Sequence, residues 1–328
     1  MTFLEFHGLT RRCPGSRLAA GVMALLLAAP ALRAQQPVAP AAGLKLEERG
    51  TILFIGNSFT YGANSAVRFY RAHTVNDLNG EGTGGVPALF KSFANQAGLD
   101  FAVSLETAPG KGLDYHLKEK AHVIGRAWDW VVIHGFSTLD AAKPGDPALL
   151  VSSVKQAAEL LHGRNPKVDI RLMATWSRAD QTYPEAGHWH GQPIEAMARD
   201  VRSAYDLAAA STPFIHGVIP VGEAWNRAIQ TGIADPNPYD GITAGQVDLW
   251  SYDHYHASSY GYYLAALMEF GDITGLDPRS LGKGERTALE LGLSPAQASA
   301  LQQIAFDELM ATKGRAPLKE FKPIPLPQ

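Results

Sequence analysis

The sequence predicts an α/β fold built on a mainly parallel sheet with helices covering both faces. Three observations carry that expectation. Short, continuous apolar runs recur along the chain, and segments with helical periodicity separate them. The runs are of the kind found in strands buried on both faces. Two long segments, residues 176–192 and 231–252, are rich in Gly, Pro, Asp, Asn and aromatic side chains with weak periodicity, as befits loops gathered near a ligand site.

The first expected strand is residues 51–55, Thr-Ile-Leu-Phe-Ile, ended by Gly56 and an immediate turn. Further strands are expected at 101–105, 130–134, 170–175 and 216–221, each short and rich in Val, Ile, Leu or Phe. Helices are expected at 86–97, 148–162, 193–210 and 258–274, the last preceded by polar residues able to cap it. Residues 281–328 read as a C-terminal helix and a tail, extended or frayed from about Ala316 onward. There is no internal repeat.

With 328 residues and 46% hydrophobic content, the chain can fill one large core, expected over residues 51–280. Residues 1–34 read as a secretion signal: Arg11, Arg12 and Arg17 precede an apolar stretch over 18–32, and small residues place cleavage after Ala34 or Ala31. The stretch is short for a membrane span, so an uncleaved anchor is the lesser alternative. Residues 35–50 form a Pro/Ala-containing linker. The one cysteine, Cys13, falls inside the signal, which leaves the mature chain without a disulfide, thiol nucleophile or cysteine metal site. A periplasmic or secreted product is expected. The net charge of −3, with no basic run beyond the N-terminus, leaves no electrostatic footprint for nucleic acid.

Two constellations carry chemistry. Ile55-Gly56-Asn57-Ser58-Phe59-Thr60 follows the first strand, so the Ser58 hydroxyl can face a cleft at the carboxyl edge of the sheet. Alone, Gly-Asn-Ser is ordinary turn chemistry. Far downstream, Trp250-Ser-Tyr-Asp253-His254-Tyr255-His256 precedes the helix at 258–274, and Asp253 stands three residues before His256, where an acid can orient an imidazole toward a hydroxyl. Alone, these would be a cap and a surface histidine. Together with Ser58 they point to a nucleophile, base and acid.

These residues are similar to the first and last blocks of the SGNH/GDSL hydrolases. His256-Ala-Ser-Ser-Tyr-Gly-Tyr-Tyr-Leu-Ala-Ala resembles a pattern of a bacterial branch of that superfamily, and the resemblance in block order spans roughly residues 51–275. It implies a three-layer α/β/α, flavodoxin-like fold and cofactor-free hydrolysis of a small or polymeric ester through an acyl-enzyme, with Ser58, His256 and Asp253 as triad. It also implies an oxyanion hole from the Ser58 amide and a glycine amide, best matched by Gly112 with Gly110 as fallback. The third block departs from the pattern. Val132-Ile-His134-Gly135-Phe136-Ser137 has no asparagine, Ser137 falls in its place with a shorter donor, and His134 can turn inward from the strand end.

Two rival readings remain. His188, His190, His254 and His256 with Asp253 could hold a metal ion, although no compact metal motif is present. Trp176, Trp189, Trp225 and Trp250 could serve as platforms for sugar rings on a non-catalytic scaffold, or simply line the core. No Gly-x-Ser-x-Gly elbow or phosphate-binding loop occurs, and Gly80-Glu-Gly82-Thr-Gly84-Gly85 reads as a flexible Gly-rich stretch.

Overall fold

The computed structural model describes residues 46–312 and 314–324; the expected signal segment and the linker up to residue 45 lie outside them. Six parallel strands form one sheet: β1 (Glu47–Gly56), β2 (Asn76–Asp77), β3 (Leu99–Thr107), β4 (Trp130–Ile133), β5 (Asp169–Ala174) and β6 (Ile215–Pro220), in the order β2-β3-β1-β4-β5-β6. Within β1, Ile52 and Phe54 pack into one core and Leu53 and Ile55 into the other, all of them fully buried. That two-sided burial explains the continuous apolar run and makes the molecule a three-layer α/β/α, flavodoxin-like fold.

Helices Gly85–Gln96, Val221–Gln230, Ser259–Thr274 and Pro295–Ala311 cover the first face. Leu113–Glu119, Ala148–Arg164 and Glu195–Ala210 cover the second. The C-terminal helix adds Leu301, Ile304, Ala305 and Leu309 to the same core as the helix over Ser259–Thr274. Ser258 caps that last helix, accepting from the Tyr260 and Gly261 amides, as its polar approach suggests.

Three expectations are refined. The first strand begins at Glu47, inside the expected linker, because the β1–β3 pairing starts at Glu47 opposite Leu99. The tail is extended but held: Lys319 exchanges backbone hydrogen bonds with Gly275 and Asp277 (2.9 Å each), Phe321 packs on Phe270, and the Ile324 amide donates to Gln96. The Gly-rich stretch is ordered by Asp77, whose carboxylate accepts from the amides of Asn79, Glu81 and Thr83 at 2.9–3.1 Å. Gly85, at φ 64°, ends this loop where an added Cβ would lie 2.6 Å from the Thr60 carbonyl oxygen. Of the two readings of the four tryptophans the simpler one holds: they are core residues, each at most 2% exposed.

β1 lies between β3 and β4, and the chain turns to opposite sides of it, which creates a switch point at its carboxyl end. Beneath that end runs a ladder of rings. His134 stacks on Phe59 (5.5 Å between centroids), Phe59 on Trp176 (4.4 Å) and Trp176 on Trp225 (4.7 Å). Gly56 permits this approach, since a Cβ there would meet the Thr60 hydroxyl at 2.1 Å and the His134 Cβ at 3.3 Å. Behind it, the wholly buried Glu106 and His116 pair ties β3 to the helix over Leu113–Glu119.

His134 does turn inward from its strand, and burial pushes its pKa down to about 4. Because the folded value lies below the usual 6.5, the neutral ring's contribution is complete above about pH 6.5 and is lost as pH falls toward 4. Urea unfolding between these limits should lose roughly 3 kcal/mol through this residue. His134→Phe keeps a ring in the stack and should flatten that pH dependence; an unchanged slope would refute the assignment.

Candidate active site

Three neighbouring strand ends deliver the candidate residues. In the β1 register, Ile55 lies opposite both Glu106 and Ile133, and the His134 amide donates to the Ile55 carbonyl. Ser58 therefore emerges two residues beyond β1, Gly112 five beyond β3 and Ser137 four beyond β4, all at the carboxyl edge. Ser58 opens a short helix, Ser58–Tyr61, and is 7% exposed.

Asn57 binds these loops together. Its Oδ1 accepts from the Phe59 amide and caps the short helix, while its Nδ2 donates to the carbonyls of Lys111 (2.9 Å) and Gly135 (3.0 Å). A single buried amide thus fixes the peptides next to Gly112 and Ser137 relative to Ser58. Among the described residues, the amides of Ser58 and Gly112 donate to no protein acceptor. Gly110 lies at φ 64° in open space and serves the turn, which favours Gly112 over the fallback.

Asp253 and His256 come from the loop before Ser259–Thr274. His256 Nδ1 and Asp253 Oδ2 are 2.6 Å apart, and Asp253 Oδ1 accepts from the His256 amide at 3.0 Å. Asn64, at φ 58°, donates its side-chain amide to Asp253 Oδ2 at 2.6 Å, and its carbonyl accepts from Ser251. Burial pushes the Asp253 carboxyl up, but hydrogen bonds from the His256 ring and the local amides outweigh it and hold the pKa below the ordinary range. Burial also dominates at His256 and lowers its pKa, against an opposing pull from Asp253. Burial thus favours the neutral ring. Its Nε2 is buried and makes no hydrogen bond, to Ser58 included. The ring lies 5.5 Å from that of Phe59, the neighbour of Ser58.

His254 is placed differently. Its backbone is left-handed (φ 58°), its ring packs on Tyr239 at 4.3 Å, and Asp253 makes no bond to it. His190 bonds the Tyr183 carbonyl and His188 lies against Gly145. Among the described residues, no three His, Cys, Asp or Glu side chains are grouped to hold a metal ion.

The structure gives further residues a place around the site. Tyr255 lies over the His256 ring (3.7 Å between centroids). The Trp176 indole donates to the Tyr255 carbonyl at 3.1 Å and the Trp250 indole to the Ser177 carbonyl at 2.9 Å, so the buried tryptophans hold the site loops from below. Arg178, beyond β5, donates to the Ser137 hydroxyl at 3.1 Å. Between the loops carrying Gly112 and Ser137 opens a cavity of about 340 Å³, with Tyr115, Phe136, Asp140 and Leu149 in its wall.

No protein-family model matches the chain, and no curated protein matches it significantly. Among solved structures, a DUF4886 family protein from Bacteroides uniformis superposes with a TM-score of 0.54 at 16% identity, over 83% of this chain and 99% of that one. A GDSL-like lipase from Parabacteroides merdae gives 0.49 at 20% identity over 71% and 98%. An acetyl xylan esterase from Geobacillus stearothermophilus gives 0.42 at 16% identity over 70% and 96%. The first of these likenesses establishes a shared fold.

Asn57→Ala removes the cap and strands two carbonyls, one of them in a buried contact. It should destabilise the protein by about 1–3 kcal/mol in urea unfolding. A change below about 0.5 kcal/mol would show that the loops hold their places without it.

Proposed function

We propose that this chain is an SGNH-type serine ester hydrolase acting on carboxylic esters, acetyl or carbohydrate esters among them. The observation that carries the reading is the Asp253–His256 pair, whose unbonded, buried Nε2 belongs to the loop packed beside Ser58 at the switch point of the sheet. The resemblance of the first and last sequence blocks supports it independently. The parts match what acyl transfer needs: a hydroxyl, a neutral imidazole held in one tautomer, and two open amides. The sugar-platform alternative loses its tryptophans to the core.

In the proposed mechanism, Ser58 Oγ attacks the ester carbonyl carbon and its proton passes to His256 Nε2. Asp253 keeps the other ring nitrogen protonated and balances the imidazolium. The amides of Ser58 and Gly112, with the Ser137 hydroxyl, take up the charge on the carbonyl oxygen. Collapse breaks the bond to the alcohol, which leaves with the proton from His256. Water then attacks the acyl-enzyme by the same route and frees the acid. No step requires a cofactor. Export to the periplasm or the medium, as the N-terminal segment suggests, fits an extracellular ester. Among the described residues, no helix is long and apolar enough to cross a membrane.

Turnover of short-chain aryl and sugar acetates provides the test. Ser58→Ala should abolish it in a folded protein. His256→Ala should cost at least about 1,000-fold in kcat, whereas His254→Ala should keep a substantial fraction. The reverse ranking would refute the assigned base. Because His256 must be neutral to act and its pKa is lowered, kcat/KM should fall on the acid side with a midpoint below 6.5. A midpoint above 6.5 would contradict the site's electrostatics.

A further inference from the structure

The loop after β4 lacks the asparagine that the resemblance to SGNH/GDSL hydrolases implies, and Ser137 stands in its place with a hydroxyl that rotates freely unless something fixes it. Arg178 supplies that constraint. Its Nη1 donates to Ser137 Oγ at 3.1 Å, while Nε and Nη2 grip both carboxylate oxygens of Asp180 at 3.0 and 2.6 Å. The guanidinium lies 4.1 Å over the Tyr255 ring, and the Asp180 amide donates to the His254 carbonyl. Arg178 is thus clamped by a carboxylate, an aromatic face and the Ser137 hydroxyl.

Arginine has donors only, so Ser137 Oγ must be the acceptor in this bond, and its own proton is left for another partner. Ser137 is buried, and among the described residues its hydroxyl donates to no protein acceptor. A hydroxyl receiving a charged donor is polarised and becomes a better donor itself. The neighbouring backbone places it at the site: Gly135 is tied to Asn57, and Phe136 Cβ lies 3.5 Å from the position of a Cβ on Gly112.

We propose that Arg178 is a positioning residue that makes the Ser137 hydroxyl the third oxyanion donor, replacing the missing asparagine by a relay from guanidinium to hydroxyl to oxyanion. The proposal rests on the ester-hydrolase reading. Asp180 has a defined part in it, since it neutralises the guanidinium and fixes its plane so that Nη1, rather than the whole cation, acts on Ser137.

A double-variant cycle on an aryl acetate, with folding checked by thermal melts, tests the relay. Ser137→Ala removes the hydroxyl and leaves its amide. It should lower kcat by about 10- to 100-fold with KM changed less than about threefold, as for a contact made in the transition state. Arg178→Gln should lower kcat in the same direction, and Arg178→Gln combined with Ser137→Ala should be no slower than Ser137→Ala alone. Ser137→Asn, which carries its own amide donor, should make kcat insensitive to Arg178→Gln. If Arg178→Gln unfolds the protein, Arg178→Lys takes its place, keeping the charge while losing the fork. Multiplying losses, or a loss that falls mainly on KM, would overturn the relay and leave Arg178 as an independent structural or substrate contact. The parent reading is judged separately: if Ser58→Ala keeps the wild-type rate, the ester-hydrolase reading fails and the relay with it, whereas a dead Ser58→Ala beside multiplying losses overturns the relay alone.

Discussion

The site depends on the hydrogen bonds of one amide, that of Asn57. It spans the ends of three adjacent strands, capping the helix that begins at Ser58 and holding the carbonyls of Lys111 and Gly135. Each of those loops follows an independently packed strand, and loops of this kind drift unless something couples them. Coupling through one small, planar side chain fixes the Lys111 and Gly135 peptides relative to the helix that begins at Ser58. It also requires a tight approach, which is why Gly56 precedes it and why the rings of Phe59 and His134 can stack beneath.

Around this anchor several polar atoms are buried without a protein partner. His256 Nε2 and both ring nitrogens of His134 are buried without hydrogen bonds. An unpaired group costs stability wherever it lies, but the two histidines differ in what they offer. In the proposed mechanism the unbonded nitrogen of His256 is the base, its ring oriented from behind by Asp253, which Asn64 in turn holds. At His134 the lack of a partner is the cost of placing a ring under the nucleophile loop. Charge near the base is handled by pairing: Arg178 lies over Tyr255 but is matched by Asp180, so its positive field falls only partly on His256.

The layered fold was legible because burial on both faces forces long apolar runs, and those runs in β1, β3, β4, β5 and β6 stand out in the chain. β2 did not, being two polar residues whose role is to present Asp77 to the loop that follows. The helix over Val221–Gln230 was hidden because it begins directly after β6 with no capping signal, so its first residue reads as strand. Ser58, Asp253 and His256 could be singled out because their residue types and order carry the pattern. Asn57, Asn64 and Arg178 could not, since their partners lie 54, 189 and 41 residues away and nothing local marks them as other than turn or surface residues. The sequence left the tryptophans between core and sugar platform, because it does not show that the buried Trp176 and Trp250 use their N–H groups to hold backbone carbonyls of the site loops.

The central claim is that the Asp253–His256 pair makes Ser58 nucleophilic, and covalent trapping tests it without any assumption about the natural substrate. A small fluorophosphonate, incubated with the folded protein at pH 7.5 and followed by intact mass and peptide mapping, should add one phosphonyl group, on Ser58. His256→Ala should slow that addition by orders of magnitude. A modified protein whose adduct maps to another residue, or equal labelling of the wild type and His256→Ala, would contradict the account.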